Sequence, residues 1–257
     1  GVTIGSRTFV YSYIGEEMHW IYGRDYVRAP KGSTYTDENG TVIDCSGMPI
    51  IDPKTGYPSL IEDPNQRIAK VNPDWKAGFG TSVRYKNLSF SAQFTAQVGG
   101  NSFSVTNFAL SYQGKLKNSL PGREDGLVLK GVNAVDNGDG TISYRKNNTI
   151  TENVYIYYNK YQWVRDNTKA NTFSTDFLKL KEVRLDYRFS ERWMQKTKFL
   201  RSASIGIFAT NLFCITNWPQ YDPEAAGVVS GTNIYGGIET GSFPMTRTYG
   251  FNIKLQF

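Results

Sequence analysis

The sequence predicts an all-β fold of about five to seven long antiparallel strands, the segment expected of a large transmembrane β-barrel with long loops. Three observations carry that reading. The terminal run TRTYGFNIKLQF (246–257) sets Tyr249, Phe251, Ile253, Leu255 and Phe257 on one parity and Thr248, Gly250, Asn252, Lys254 and Gln256 on the other. This is the period of a strand with one apolar face. The chain is 14% aromatic, with 17 Tyr, 15 Phe and 5 Trp, yet only 39% hydrophobic overall. Its mean hydropathy is −0.44, a balance that favours strands and polar loops over helices. Finally, the links between candidate strands alternate between long and short.

Several function classes fall away on composition. The net charge of +6 is dispersed, so there is no basic footprint for a nucleic-acid partner. Cys45 and Cys214 are the only cysteines and stand far apart with no CxxC spacing, which reads as two unpaired thiols and no zinc site. His19 is the only histidine, which excludes histidine-based triads and multi-histidine metal sites. There is no GxSxG and no phosphate-binding loop. No enzyme, cofactor or metal is expected. No apolar run reaches the roughly 18 residues of a transmembrane helix, a test that does not bear on barrels.

In chain order, residues 1–13 carry a candidate strand with Phe9, Tyr11 and Tyr13 on one parity. A second, in MHWIYGRDYVR (18–28), sets Met18, Trp20, Tyr22 and Tyr26 on a face interrupted by Arg24. From Ala29 to about Trp75, prolines and turn signals such as DENG (37–40) and DPKTG (52–56) predict a long loop carrying a short hairpin. A clear strand starts at Ala77, with Phe79, Thr81, Val83 and Tyr85 on one face. It turns near Asn87 into a second strand with Leu88, Phe90, Ala92, Phe94, Ala96 and Val98 on one face. The excursion 99–175 holds a weakly helical patch (105–116), a hairpin turned at 137–140 and the aromatic run VYIYYNKYQW (154–163). A third strand runs from Asp176 to Phe189, with Phe177, Val183, Leu185, Tyr187 and Phe189 opposite Glu182, Arg184, Asp186 and Arg188. After the short link SERWMQKTK, a fourth runs from Phe199 to Phe213, and the loop 214–245 leads to the terminal strand.

Antiparallel order places all the long links at one end of the sheet and both short ones at the other, the pattern of an outer-membrane barrel. A soluble sandwich has no reason to sort its loops this way. Charges obey the same division. Arg84, Lys86, Glu182, Arg184, Asp186, Arg188 and Lys254 take the polar parity, whereas a Lys or Arg at the lipid midplane would cost about 2–4 kcal/mol. Lys179, Lys181, Arg201 and Arg247 are exceptions. The last two lie near strand starts and Lys179 near a loop, which leaves Lys181 unaccommodated. Because an open edge in hydrocarbon is not viable, the chain is expected to be part of a larger barrel. Its terminal strand would close on a first strand outside this chain.

Collinear motifs support this. IYGRDYVRA (21–29), GYP (56–58), NPDWKAGFGTSVRYKNLSF (72–90), the Gly99–Gly100 pair, FLKLKEVRLDY (177–187), FATNLF (208–213), YDPE (221–224) and FPMTRTYGFNIKLQF (243–257) stand in one order along the chain. Together they resemble the C-terminus of SusC/RagA-like TonB-dependent outer-membrane transporters. The resemblance implies a barrel of about 22 strands with an internal plug, in the outer membrane of a Gram-negative bacterium. It also implies a SusD-like surface lipoprotein as lid, and TonB-driven uptake of oligosaccharides or peptides. Residues 1–257 would then be one C-terminal barrel portion, with the plug and N-terminal domains elsewhere. Partners would be the remainder of the barrel, the SusD-like lipoprotein, outer-membrane lipid, and the TonB complex through the missing N-terminal part. Tyr249, Phe251, Ile253, Leu255 and Phe257 would form the aromatic C-terminal assembly signal.

The residues for contact with ligand or lid are the loop aromatics Tyr155, Tyr157, Tyr158, Tyr161 and Trp163, with Trp218 and Tyr221 in the last loop. Such side chains bury much area at low entropic cost, and the competing role for any one of them is loop packing. DNGDG (136–140) lacks the downstream bidentate Glu of a calcium loop and reads as a hairpin turn. Glu182 and Asp186, flanked by Arg184 and Arg188, read as a lumen charge ladder. The alternative from another class is a secreted all-β binding or adhesion module whose apolar faces pack a sandwich core. A hydrolase fragment ranks behind both.

Overall fold

The computed structural model describes residues 2–4, 8–197, 199–225, 227–230, 233–241 and 243–257. The chain parts into two compact units: Gly1–Val71 with Ser102–Thr172 and Gly227–Gly241, and Asn72–Asn101 with Phe173–Ala226 and Ser242–Phe257.

The second unit is built on the five long strands that period-2 alternation predicts. They are β1 (Pro73–Tyr85), β2 (Leu88–Gly99), β3 (Phe177–Arg188), β4 (Ser202–Thr216) and β5 (Thr248–Gln256). Each pairs antiparallel with its sequence neighbour, in the order β5-β4-β3-β2-β1. The β1–β2 link is two residues, with Lys86 at a φ of 53°, the positive φ that a tight hairpin asks of its first central residue. A short helix, Glu191–Met194, lies in the β3–β4 link. The long links 100–176 and 217–247 leave from the opposite end. The fourth strand begins at Ser202 rather than Phe199, because a turn closed by Leu200 N–H to Thr197 O (3.2 Å) takes the intervening residues.

The register aligns chemistry across all five strands. One row reads Val83, Phe90, Leu185, Ile207, Phe251, and the next Tyr85, Leu88, Tyr187, Ile205, Ile253. Between them on the other face runs Arg84, Ser89, Asp186, Gly206, Asn252. Phe208 stands on this polar face opposite Gly250, where an added Cβ would meet its ring.

The alternation breaks once, and the break corrects the expected faces of β3. Between Leu180 and Glu182, β3 carries one more residue, Lys181, than β2 does between Phe94 and Gln93. At the same level β4 sets Asn211 and Leu212 against that single residue, with Asn211 at a φ of 53°. Such bulges re-aim side chains without ending the ladder. Upstream of the bulge the phase reverses. Leu180 joins the apolar row of Phe79, Phe94 and Phe213. Phe177 and Lys179, grouped by the sequence pattern with Val183, go to the polar face.

The first unit holds the remaining elements. Val2–Ile4, Thr8–Tyr11, Trp20–Gly23 and Gln66–Lys70 form a four-stranded antiparallel sheet. The single candidate strand in residues 1–13 is instead two, Val2–Ile4 paired antiparallel with Thr8–Tyr11, which leaves Tyr13 outside. These and the candidate in 18–28, here Trp20–Gly23, join this small sheet, with the side chain of Phe9 outside the described residues. DENG turns the hairpin Thr34–Thr36/Val42–Asp44, and DNGDG turns Val132–Asp136/Ile142–Lys146. In the latter the Asp136 and Asp139 carboxylates accept the N–H groups of Gly138 and Thr141. The weakly helical patch is α1 (Val105–Tyr112), capped by Ser104, whose hydroxyl accepts the Asn107 N–H at 3.0 Å. Ile238–Glu239 runs parallel to Phe103–Ser104 and buries Glu239, which accepts the hydroxyls of Ser104 (2.8 Å) and Thr106 (2.5 Å). Val10, Ile21, Phe103, Phe108 and Ile238 pack the core beneath.

The phase reversal is open to test. Leu180→Lys should cost about 2–4 kcal/mol by setting a charge in an apolar row and so deplete the folded form, while Glu182→Lys should leave its yield near normal. Without the bulge the two positions share a face, and equal yields for the two variants would rule it out.

Candidate ligand site, loop anchor and exposed sheet face

Re-phasing at Lys181 gives Lys179 a specific role. Its side chain is only 2% exposed. Its ammonium contacts the Asp222 carboxylate, and lies 2.8 Å from Glu224 Oε2 and 2.9 Å from Met245 Sδ. Lys181 reaches the same Glu224 oxygen at 2.5 Å. Asp222 Oδ1 accepts the Glu224 N–H at 2.9 Å, which bends the chain so that both carboxylates converge. Burial raises the Glu224 pKa, but the hydrogen bonds from Lys179 and Lys181 outweigh it and hold the carboxyl below its usual value. The YDPE motif is therefore the foot of the last loop, bound to the bulge of β3. Sequence reading singled out the motif but not its partner. In the same loop Trp218 is buried edge-on to Phe173, with centroids 6.2 Å apart, whereas Tyr221 is 49% exposed.

The aromatic run 154–163, expected as loop, is helical. Asn153 caps it by accepting the N–H groups of Tyr155 (2.9 Å) and Ile156 (3.3 Å). Val154–Ile156 then widens into a π turn, Tyr157–Gln162, with Trp163 N–H bonded to Tyr158 O at 2.7 Å. Gln162 Oε1 accepts the hydroxyl of Tyr157 at 3.1 Å and that of Tyr26. Burial pushes both phenols up, Tyr157 to about 12, so both remain donors at neutral pH. Tyr161 stacks on Tyr57 at 5.1 Å, and the Tyr158 hydroxyl donates to Pro121 O at 2.9 Å. The candidate aromatics thus divide. Tyr158, Trp163 and Trp218 are interior, Tyr157 and Tyr161 are half-buried, and Tyr155 and Tyr221 meet solvent.

Tyr155 borders a groove of about 490 Å³ between the end of α1 and the π turn, lined also by Tyr112, Gln113, Arg123, Asn153 and Asn159. Sequence reading missed this groove because its walls lie some forty residues apart along the chain. On the polar face of the sheet, Arg84, Arg184, Asp186, Arg188 and Lys254 line a hollow of about 280 Å³. There Asp186 is bound by Arg184 at 2.5 and 2.9 Å, the arrangement of a charge ladder.

The other face of the sheet is apolar, and its large side chains are exposed along the terminal strand. Tyr249, Phe251, Ile253, Leu255 and Phe257 are each at least half exposed, Phe251 by 73%. In water each would forgo a large part of the ~1.5–3 kcal/mol that full burial of such a side chain contributes. Among the described residues, no helix is long and apolar enough to cross a membrane.

No family model matches the chain. It is 25% identical over 252 residues to the TonB-dependent receptor P3 of Formosa agariphila, covering 95% of this chain and 22% of that protein. Among solved structures, the RagAB peptide importer in its open-open state superposes with a TM-score of 0.53 at 19% identity, over 93% of this chain and 26% of that one. Its closed-closed state gives 0.54 at 17% identity, over 100% and 25%. The chain is similar to a segment of a SusC/RagA-like TonB-dependent transporter. It spans about a quarter of the length of the chains it matches. At these identities the structural likeness bears on the fold alone, that of part of a β-barrel, and the relatives are receptors and importers rather than enzymes.

Breaking the Lys179 cluster should loosen the last loop. Asp222→Asn leaves a buried ammonium short of a counter-charge, a change that costs about 3–5 kcal/mol, and should expose 217–247 to limited proteolysis. Lys181→Met removes a partly exposed pair worth about 1 kcal/mol or less and should change little. Equal cutting of the two variants and the wild type would refute the anchor.

Proposed function

We propose that the chain forms part of the barrel wall of a TonB-dependent importer in the outer membrane of a Gram-negative bacterium. The observation that carries this reading is the pair of apolar rows crossing all five strands without a charge, on a sheet whose long links all leave from one end. Lipid would cover the apolar face, and the face bearing Arg84, Arg184, Asp186 and Lys254 would line a wet lumen. The outer edges of β1 and β5 carry unpaired backbone groups that hydrocarbon does not tolerate. The remainder of the barrel would pair there. Tyr249, Phe251, Ile253, Leu255 and Phe257 would serve as the C-terminal assembly signal.

The cargo class is a nutrient oligomer, oligosaccharide or peptide, passed without covalent chemistry. Its capture would involve a SusD-like surface lipoprotein docking on the long loops. Energy would come from TonB through parts of the protein outside this chain. The likeness to the RagAB peptide importer supports this reading, as does the motif order. A secreted binding module would instead have to bury its apolar rows against a second layer. A folded, monomeric protein without detergent would favour that reading and sink the importer.

Phe251→Arg or Ile253→Arg should block membrane assembly, at a cost of about 2–4 kcal/mol near the midplane, while Asn252→Arg should assemble. Heat-modifiable migration of the membrane fraction reads this out, and similar behaviour of the two classes would refute the face assignment. Cysteines placed in 154–163 and 217–247 should react with an impermeant maleimide on intact cells. Labelling only after permeabilisation would reverse the topology.

A further inference from the structure

We propose that the groove between the end of α1 and the π turn binds the C-terminal end of a short peptide. The assignment rests on the importer reading, since it gives one of the importer's loops a ligand.

The lining contains one charged side chain, Arg123, and no carboxylate. Arg123 is held from one side. Its Nε donates to Ser119 O at 2.8 Å, and its Nη2 to Ser119 Oγ at 2.8 Å and to Gly114 O at 3.4 Å. Among the described residues Nη1 makes no hydrogen bond. The guanidinium is therefore fixed in place with Nη1 left to donate, and a carboxylate is the acceptor that gives the stronger, charge-assisted bond there.

Asn159 supplies an independent observation. Both polar atoms of its side chain are shut off from solvent, and neither has a hydrogen-bond partner. An unmet buried polar group costs about 1–3 kcal/mol, so the turn carries a cost that a ligand can relieve. The residue sits in the π turn Tyr157–Gln162, a rare geometry that gathers at functional sites. A carboxamide offers an acceptor and a donor side by side, and the N–H and C=O of one extended residue, which lie on the same edge of the chain, present the complementary pair. Tyr112 and Tyr155, 49% and 69% exposed, flank the groove and can cover ligand side chains. A peptide with a free C-terminus meets all three demands: carboxylate to Arg123, main chain to Asn159, side chains to the tyrosines. A neutral oligosaccharide would leave Arg123 without a counter-charge. The ligand must part the groove wall to reach Asn159, so binding is an induced fit.

The test titrates the full-length transporter in detergent with tetra-alanine as the free acid, with its C-terminal amide, and with maltohexaose, by calorimetry. The free acid should bind at least about tenfold more tightly than the amide, a difference of about 1.4 kcal/mol, and maltohexaose should not depend on the groove. Arg123→Gln should erase the difference between acid and amide. Asn159→Leu should weaken both peptides about tenfold while leaving Tm unchanged or higher, because it removes an unpaired buried amide. Peptide binding indifferent to both substitutions, equal binding of acid and amide, absence of peptide binding, or maltohexaose binding that requires Asn159 would each overturn the proposal. A protein that assembles in the membrane but ignores the peptide sinks this site alone. One that never enters the membrane sinks the importer reading instead.

Discussion

The large sheet depends on keeping apolar rows in step across five strands. Side chains alternate with a period of two, so a strand that slips by one residue turns its whole apolar set to the wrong face. Here the rows stay in step because β3 and β4 each absorb extra residues at the same level, at Lys181 and at Asn211–Leu212. Hydrogen bonding resumes on either side, and Leu180 lies in line with Phe79, Phe94 and Phe213.

That local adjustment permits a fully buried ammonium on an otherwise amphipathic strand. A buried Lys is tolerable only with well-placed counter-charges, and Lys179 has two, delivered by Asp222 and Glu224 on a loop. The cluster turns a desolvation cost into positional information, tying the foot of the last loop to one point on the sheet. The adjacent Lys181 shares Glu224 from a more exposed position and contributes correspondingly less.

In the other unit, the aromatic residues chosen for contact are mostly part of the scaffold. Tyr26, Tyr57, Tyr157, Tyr158, Tyr161 and Trp163 brace the π turn through hydrogen bonds and stacking. Their rigidity holds Tyr155 and Asn159 at the groove. The aromatic content marked the right segment, but which residues face solvent depends on a helical turn whose sequence shows no 3.6-residue period. The polar residue with the strongest claim to a ligand, Asn159, gives no signal of its own in the sequence.

The sequence by itself determined the five long strands, their two faces outside the bulged stretch of β3 and the sorting of links to opposite ends, because alternation and turn chemistry are local properties that each segment carries alone. It also located both turns, DENG and DNGDG, and the motif order that led to the transporter likeness. Only the tertiary structure decided the phase of β3 above the bulge, the burial of Lys179 and the assembly of the groove. Each of these joins residues remote in the chain, as Lys179 and Asp222 are, 43 positions apart. A bulge residue has no signature in the period of its own strand. It is defined by the count on the neighbouring strand, so Lys181 looked misplaced until β2 and β4 were paired beside it.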